Sequence, residues 1–290
     1  MTFVSERRAA NLLAQIRWRD GVDCLRCRAK SVIRYGSYRV VQRYRCKICD
    51  RTFHDRTDTD FKHSAIALRK WILAIYTYIR LNTSLSQLDV QLDVIYKMIY
   101  RRFQHNLRAL DAPQPQLEGP IEIGEVYVKA GLKGRERDQE SRSHGLATRG
   151  HKTRAEDNPP VFILTNRESD DVYLMPAKTA DESTVRLLLA FGQQESVTVY
   201  TDGFRPYEAL DEDDAFDHEC VVHGNGEYVN GDVHVNTCEG HASLTRRWLS
   251  PHQGISQDRP SPHLRTFQLR GEVFRKPGER ALETILKTAL

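Results

Sequence analysis

Two Cys-x2-Cys pairs, Cys24/Cys27 and Cys46/Cys49, stand 18 residues apart in a chain of 290. Four thiolates at that separation form the ligand set of one tetrahedral zinc ion, each pair closing a tight knuckle. Between them, Ser31-Val-Ile-Arg-Tyr-Gly-Ser-Tyr-Arg-Val-Val-Gln-Arg-Tyr-Arg45 alternates as a hairpin does, with Gly36-Ser37 at the bend. A ribbon this small has too little apolar surface to fold alone, so the metal supplies fold energy rather than chemistry. Disulfides are the weaker reading, because no export signal opens the chain. Cys220 and Cys238 lack partners at ligand spacing and read as buried thiols.

The net charge of +4 hides an asymmetry. Residues 1–110 hold 22 Lys and Arg against 9 Asp and Glu, while residues 121–290 hold 21 against 28. A basic front suits phosphate backbones. The acidic back suits cations, with a solvated acidic surface as the competing reading. The ribbon carries Arg43, Arg45 and Lys47 among further arginines, interleaved with Tyr35, Tyr38 and Tyr44. This is the pattern of a surface for a DNA backbone or DNA end.

From Lys62 to Arg80, Ile66, Leu68, Trp71, Ile72, Ile75 and Ile79 mark an amphipathic helix. Ser84-Leu-Ser-Gln87 is a capping-box pattern opening a short helix, and a longer one runs from Asp93 to Leu110 with Arg101 and Arg102. Three helices with a tight middle connection predict a helix-turn-helix-like region over 57–110, following a ribbon over 1–56. The prolines of 111–120 make that segment a linker.

The rest, 121–290, reads as a mixed α/β domain. A strand Ile121–Val128 precedes a polar loop over 131–158, then a hairpin of Val161–Thr165 and Asp171–Pro176. A helix capped by Asp181 follows, then strand Ser196–Tyr200, which ends at Asp202-Gly203, and a strand Glu219–His223. Glu239 opens another helix, which carries Arg246 and Arg247 toward DNA. Carboxylates brought together from separate elements are what Mg²⁺ or Mn²⁺ needs to act on a phosphodiester.

This layout resembles the DDE transposases of prokaryotic insertion sequences that carry an N-terminal zinc ribbon. The resemblance lies in Tyr44-Arg-Cys-Lys-Ile-Cys-Asp-Arg-Thr-Phe53, in 121–134, 199–207 and 234–256, and in Phe267-Gln-Leu-Arg-Gly-Glu-Val-Phe-Arg-Lys-Pro-Gly278. It implies an RNase-H-like catalytic domain with acids at 124, 202 and 239. It also implies a protein that cleaves and rejoins double-stranded DNA at terminal inverted repeats, acting as a homo-oligomer on two ends. No apolar run is long enough to span a membrane, so a cytoplasmic location is expected.

Asp202 and Glu239 match the implied triad; position 124 is glycine. Along a strand, Glu122 faces the same way as 124 and Glu125 the other way, so neither replaces a central aspartate without a register shift. Three readings follow: a transposase weakened at its first acid, an active one that recruits Glu122 or Glu125 through such a shift, or a zinc-ribbon DNA-binding protein without catalysis, acting as a repressor or remnant. Pro260 is a second departure from the family pattern.

Overall fold

The computed structural model describes residues 5–109, 119–128, 159–169, 171–189, 197–222, 229–252, 261–275 and 277–287. Most of the linker, the 131–158 loop and Pro260 lie outside that set. The chain divides into two compact units, residues 1–110 together with 269–290, and residues 111–268.

The first unit opens with a helix that the ribbon boundaries did not anticipate, α1 (Glu6–Arg17). Ser5 caps it, accepting from Arg8 N at 3.2 Å, and Ala9, Ala10 and Leu13 form its buried stripe. The ribbon sheet follows, antiparallel β1 (Val32–Tyr38), β2 (Val41–Cys46) and β3 (Thr52–His54). Alternation turns Tyr44, Cys46 and Phe53 inward, where Trp18 meets Tyr44 edge-on at 5.9 Å. Tyr44, expected on the surface, is therefore core.

Buried Asp55 ties this small core together. Its carboxylate accepts from Trp18 Nε1 at 2.9 Å and from Gln42 N at 2.8 Å, and its carbonyl accepts from Arg17 at 2.8 Å.

Three helices follow: α2 (Leu68–Leu81), α3 (Leu85–Leu92) and α4 (Tyr96–Ala109). α2 starts later than its apolar spacing predicts. The Arg56 guanidinium binds the Phe61 and Ser64 carbonyls, holding that stretch in turns, and His63 adopts φ 55°. Glu6 of α1 then caps α2, accepting from Leu68 N at 2.7 Å and Arg69 N at 3.1 Å. The capping box at Ser84 and Gln87 forms as its sequence predicts, and Asp93 in the left-handed region turns the chain into α4. Across the helices Trp71 stacks on Phe103, and Tyr78 meets Phe103 edge-on with centroids 4.8 Å apart.

The last helix, α8 (Gly278–Lys287), packs on α1 and α2. Its Ala281, Ile285 and Leu286 are fully buried. The sequence placed this segment with the catalytic sheet, but its amphipathic stripe completes the first unit instead.

The second unit is built on a five-stranded sheet ordered β6-β5-β4-β7-β8. Its strands are β4 (Ile121–Tyr127), β5 (Pro160–Asn166), β6 (Val172–Pro176), β7 (Val197–Thr201) and β8 (Phe216–Cys220). Only β5 runs against the others, the arrangement expected of an RNase-H-like domain. All seven residues of β5 are buried, as a central, doubly covered strand requires. One face packs α5 (Glu182–Leu189) and the 3-10 turn Arg205–Leu210 through Ile121, Ile123, Phe162, Val185 and Tyr207. The other face carries α6 (Asn236–Leu249), with Cys238, Ala242, Thr245 and Trp248 buried. α7 (Ser261–Phe274) has its first residues in this unit, where Phe267 packs near Trp248 at 6.3 Å, and its last in the other.

Candidate functional site

The four predicted ligand cysteines converge. Their Sγ atoms all lie within 4.8 Å of one another, with 3.5 Å between Cys24 and Cys49 and 3.6 Å between Cys27 and Cys46. Zinc–thiolate bonds of about 2.3 Å in a tetrahedron require sulfurs about 3.8 Å apart, so the donor set fits. The two knuckles are near copies. In each, the backbone N–H two residues on, Arg26 or Ile48, donates to the first sulfur at 3.4 Å. The residue after the second cysteine, Arg28 or Asp50, takes φ near +58° and donates its N–H to the first cysteine's carbonyl. Of the remaining thiols, Cys238 is buried as expected, whereas Cys220 at the end of β8 is exposed.

The positions predicted for the acids fall on three elements, β4, the end of β7 and α6. β4 and β7 pair in parallel, Ile121 with Val199 and Glu122 with Tyr200. Two further steps in that register bring Gly124 level with Asp202, just past the end of β7. The side chain that Gly124 lacks would point at α6. A Cβ there would stand 3.6 Å from the Cys238 Cβ, an ordinary contact. Glu239, the next residue, lies in the first turn of α6 and is exposed. Among the described residues, the four cysteines are the only set of three or more His, Cys, Asp or Glu with ligand atoms this closely gathered.

The flanking glutamates have separate fates, set by strand alternation. Glu122 shares the face of Gly124 and is fully buried. Its carboxylate accepts from Cys238 N, Thr237 Oγ1 and Arg167 Nε, each at 2.9 Å, so it caps α6 and pairs with an arginine. Arg167 also donates to the carbonyls of Asp232 and His234, at 2.7 and 2.6 Å, and lies 3.8 Å above the Tyr200 ring. One guanidinium thus joins β4, β7 and the lead-in to α6, two residues before Gly124 and two before Asp202. His234 Nδ1 lies 3.3 Å from Glu122, which gives this residue a place in the network.

Glu125 points the other way, and Tyr207 donates to it at 2.8 Å. Burial, then the nearby Asp202 charge, pushes its carboxyl up to about 7. The same two carboxylates, together with burial, hold the Tyr207 hydroxyl well above its usual range. Sequence reasoning missed both the Glu122 cap and the Tyr207 contact.

Of the predicted DNA-contacting residues, Lys47, Arg101, Arg246 and Arg247 are exposed. Arg43 and Arg45 are half-buried on the outer face of the ribbon, and Arg45 is paired with Asp50 at 2.6 Å. Arg102 belongs to α4, but its side chain lies outside the described set.

Comparison with known proteins places these features in context. The profile of the ISXO2-like transposase domain matches residues 116–271, and that of the transposase zinc-ribbon domain matches residues 4–52. A Halobacterium salinarum (strain ATCC 700922 / JCM 11081 / NRC-1) relative is described as an uncharacterized protein in transposable element ISH50. It is 73% identical over 289 residues, covering 100% of this chain and 98% of its own length. Among solved structures, a simian T-cell lymphotropic virus intasome with a PP2A regulatory subunit superposes with a TM-score of 0.31 at 9% identity, over 70% of this chain and 75% of the other. A pre-cleavage Mos1 transpososome gives 0.24 at 11%, over 76% and 78%. These superpositions are loose, and the fold rests on the strand order described above.

Proposed function

Because this chain belongs to the ISXO2-like insertion-sequence transposases with a zinc ribbon, we propose that it binds the inverted-repeat ends of its element and retains an incomplete catalytic centre. The basic first unit meets duplex DNA through Arg43, Arg45, Lys47 and the α4 residues Arg101 and Arg102, with Arg246 and Arg247 added from α6. Asp202 and Glu239 are the acids of the centre, and residue 124 is its missing corner. A second copy of the chain brings the other end, in the cytoplasm where the DNA lies. Among the described residues, no helix is long and apolar enough to cross a membrane.

One observation supports this reading above the rest. The β4/β7 register sets Gly124 level with Asp202 while its Cβ direction faces the α6 turn that bears Glu239. Oxygen donors of this kind suit Mg²⁺ or Mn²⁺, and two carboxylates hold such an ion more weakly than three. A divalent cation there supplies charge to stabilise the phosphoryl transition state and to activate water. Glu122 does not fill the gap, since Arg167, the Thr237 hydroxyl and the Cys238 amide occupy its carboxylate. DNA binding is therefore retained and strand cleavage severely reduced, which is also how a repressor of intact copies behaves.

The test uses duplexes carrying the repeats that flank the protein's own gene. Gel-shift binding without metal is expected from both the unmodified chain and Gly124→Asp. Mn²⁺-dependent nicking is expected only from Gly124→Asp, by at least about 100-fold. Robust nicking by the unmodified chain overturns the incomplete-centre reading.

A further inference from the structure

The ribbon sheet has an inner and an outer face. Tyr44, Cys46 and Phe53 point inward, so alternation turns Ile33, Tyr35, Arg43 and Arg45 outward. β1 is an edge strand, and six of its seven residues are exposed. On the outer face the Tyr35 ring has two guanidinium neighbours, Arg43 at 5.6 Å and Arg45 at 5.4 Å from its centroid. Arg45 is in turn fixed by a two-point pairing with Asp50, at 2.6 and 2.8 Å. Beyond the bulge between Arg34 and Ser37, Tyr38 stacks on His54 at 5.5 Å and 12°, with Arg39 5.7 Å away. Both tyrosines stay open to solvent, Tyr35 at 45% and Tyr38 at 50%.

Contact with a phosphate backbone calls for the arginines and leaves the rings without a role. A tyrosine needed to fill the core turns inward, as Tyr44 does. An exposed ring, oriented by cations, matches instead the flat face of a nucleobase, with the arginines matching the phosphates on either side. Inside a duplex every base face is covered by its neighbours, and at a blunt end only the outermost pair shows one, whereas an unpaired nucleotide can be splayed out to offer its own. We propose that Tyr35, braced by Arg43 and Arg45, is a stacking platform for an unpaired nucleotide. The proposal rests on the DNA-end-binding reading above and adds to it a preference for opened or single-stranded ends. The local charge agrees with that partner: between residues 32 and 54 the ribbon holds Arg34, Arg39, Arg43, Arg45, Lys47 and Arg51 against one acid, Asp50.

The experiment titrates the zinc-bound full-length protein against three labelled probes of one sequence, namely a single strand, a blunt duplex, and that duplex with an overhang. Tyr35→Ala is expected to weaken single-strand and overhang binding by roughly 5- to 100-fold. Blunt-duplex affinity is expected to change by less than about twofold, with the salt dependence unaltered because no charge is removed. Tyr35→Phe keeps the ring and is expected to bind as the unmodified chain does. Zinc content and circular dichroism check that each variant is folded. An equal loss on all three probes, or no loss on the overhang, overturns the stacking platform while leaving end binding intact. Failure of the unmodified chain to bind any probe overturns both.

Discussion

At the scale of single residues, two neighbouring glutamates do different work because a strand alternates. Glu122 is buried among an arginine, a hydroxyl and a helix amide. Removing one partner of such a group strands the rest, so Glu122→Ala is expected to cost about 3 kcal/mol in urea unfolding, while Glu122→Gln costs less by keeping an acceptor. Glu125 titrates upward, from an ordinary value near 4.5 to about 7, through burial and the Asp202 charge. Between those two values the folded protein holds a proton that the unfolded chain does not. This group's contribution therefore falls as pH rises from about 4.5 to 7, by up to about 1.4 kcal/mol per pH unit, and levels off above 7. Glu125→Gln is expected to remove that slope and to be the more stable protein at pH 8, as thermal melts at pH 5 and pH 8 in buffer without added Mg²⁺ will show. A variant that melts below the unmodified chain at pH 8 contradicts the assignment. Neither role was readable in Ile121-Glu-Ile-Gly-Glu125. Alternation there predicts which residues share a face, but the partners come from residues 167, 207 and 237–238, far along the chain.

At the scale of elements, what the sequence disclosed depended on whether the signal was local. The cysteine knuckles, the Ser84 capping box and the β5–β6 hairpin are local, and each forms where its pattern says. α1 was missed because its buried stripe is two alanines and a leucine, a weak apolar signal, although Ser5 followed by Glu6 is a fair helix start. The late start of α2 depends on Arg56 reaching carbonyls five and eight residues on, which no periodicity reveals. The ribbon itself yields a prediction. Its core joins Cys24, Cys46 and Cys49 to Trp18, Tyr44 and Phe53 in one cluster. One zinc per chain is expected in a colorimetric thiol-release assay, and stripping it with a chelator is expected to unfold the ribbon and change the Trp18 signal. Asp55→Ala leaves the Trp18 and Gln42 N–H groups without their acceptor. It is expected to lower ribbon stability by about 1–3 kcal/mol and to speed zinc loss to the chelator. Zinc release at an unchanged rate sinks the role given to Asp55.

At the scale of the whole molecule, the charge asymmetry read from the sequence matches a basic reader joined to an acidic sheet domain, but the path of the chain between them was not foreseen. Residues 269–290 return to the first unit, where the Arg80 guanidinium donates to the Val273 carbonyl at 2.9 Å and lies 4.4 Å above the Phe274 ring. Ala281, Ile285 and Leu286 bury their side chains there, each apolar side chain contributing on the order of 1–3 kcal/mol. A fragment of residues 1–110 is therefore expected to bind a hydrophobic dye and melt early. Adding a peptide of residues 269–290 is expected to suppress the dye signal and raise the melting temperature by several degrees; no change on addition refutes the packing role of α8.

The same return path gives a late nonsense or frameshift mutation an unexpected target. A stop codon shortly after residue 268 spares every described strand, Asp202 and Glu239, yet strips the cover from the first unit. During synthesis, too, the first unit waits for residues 269–287 to leave the ribosome before its core is closed, long after its own first 110 residues have emerged.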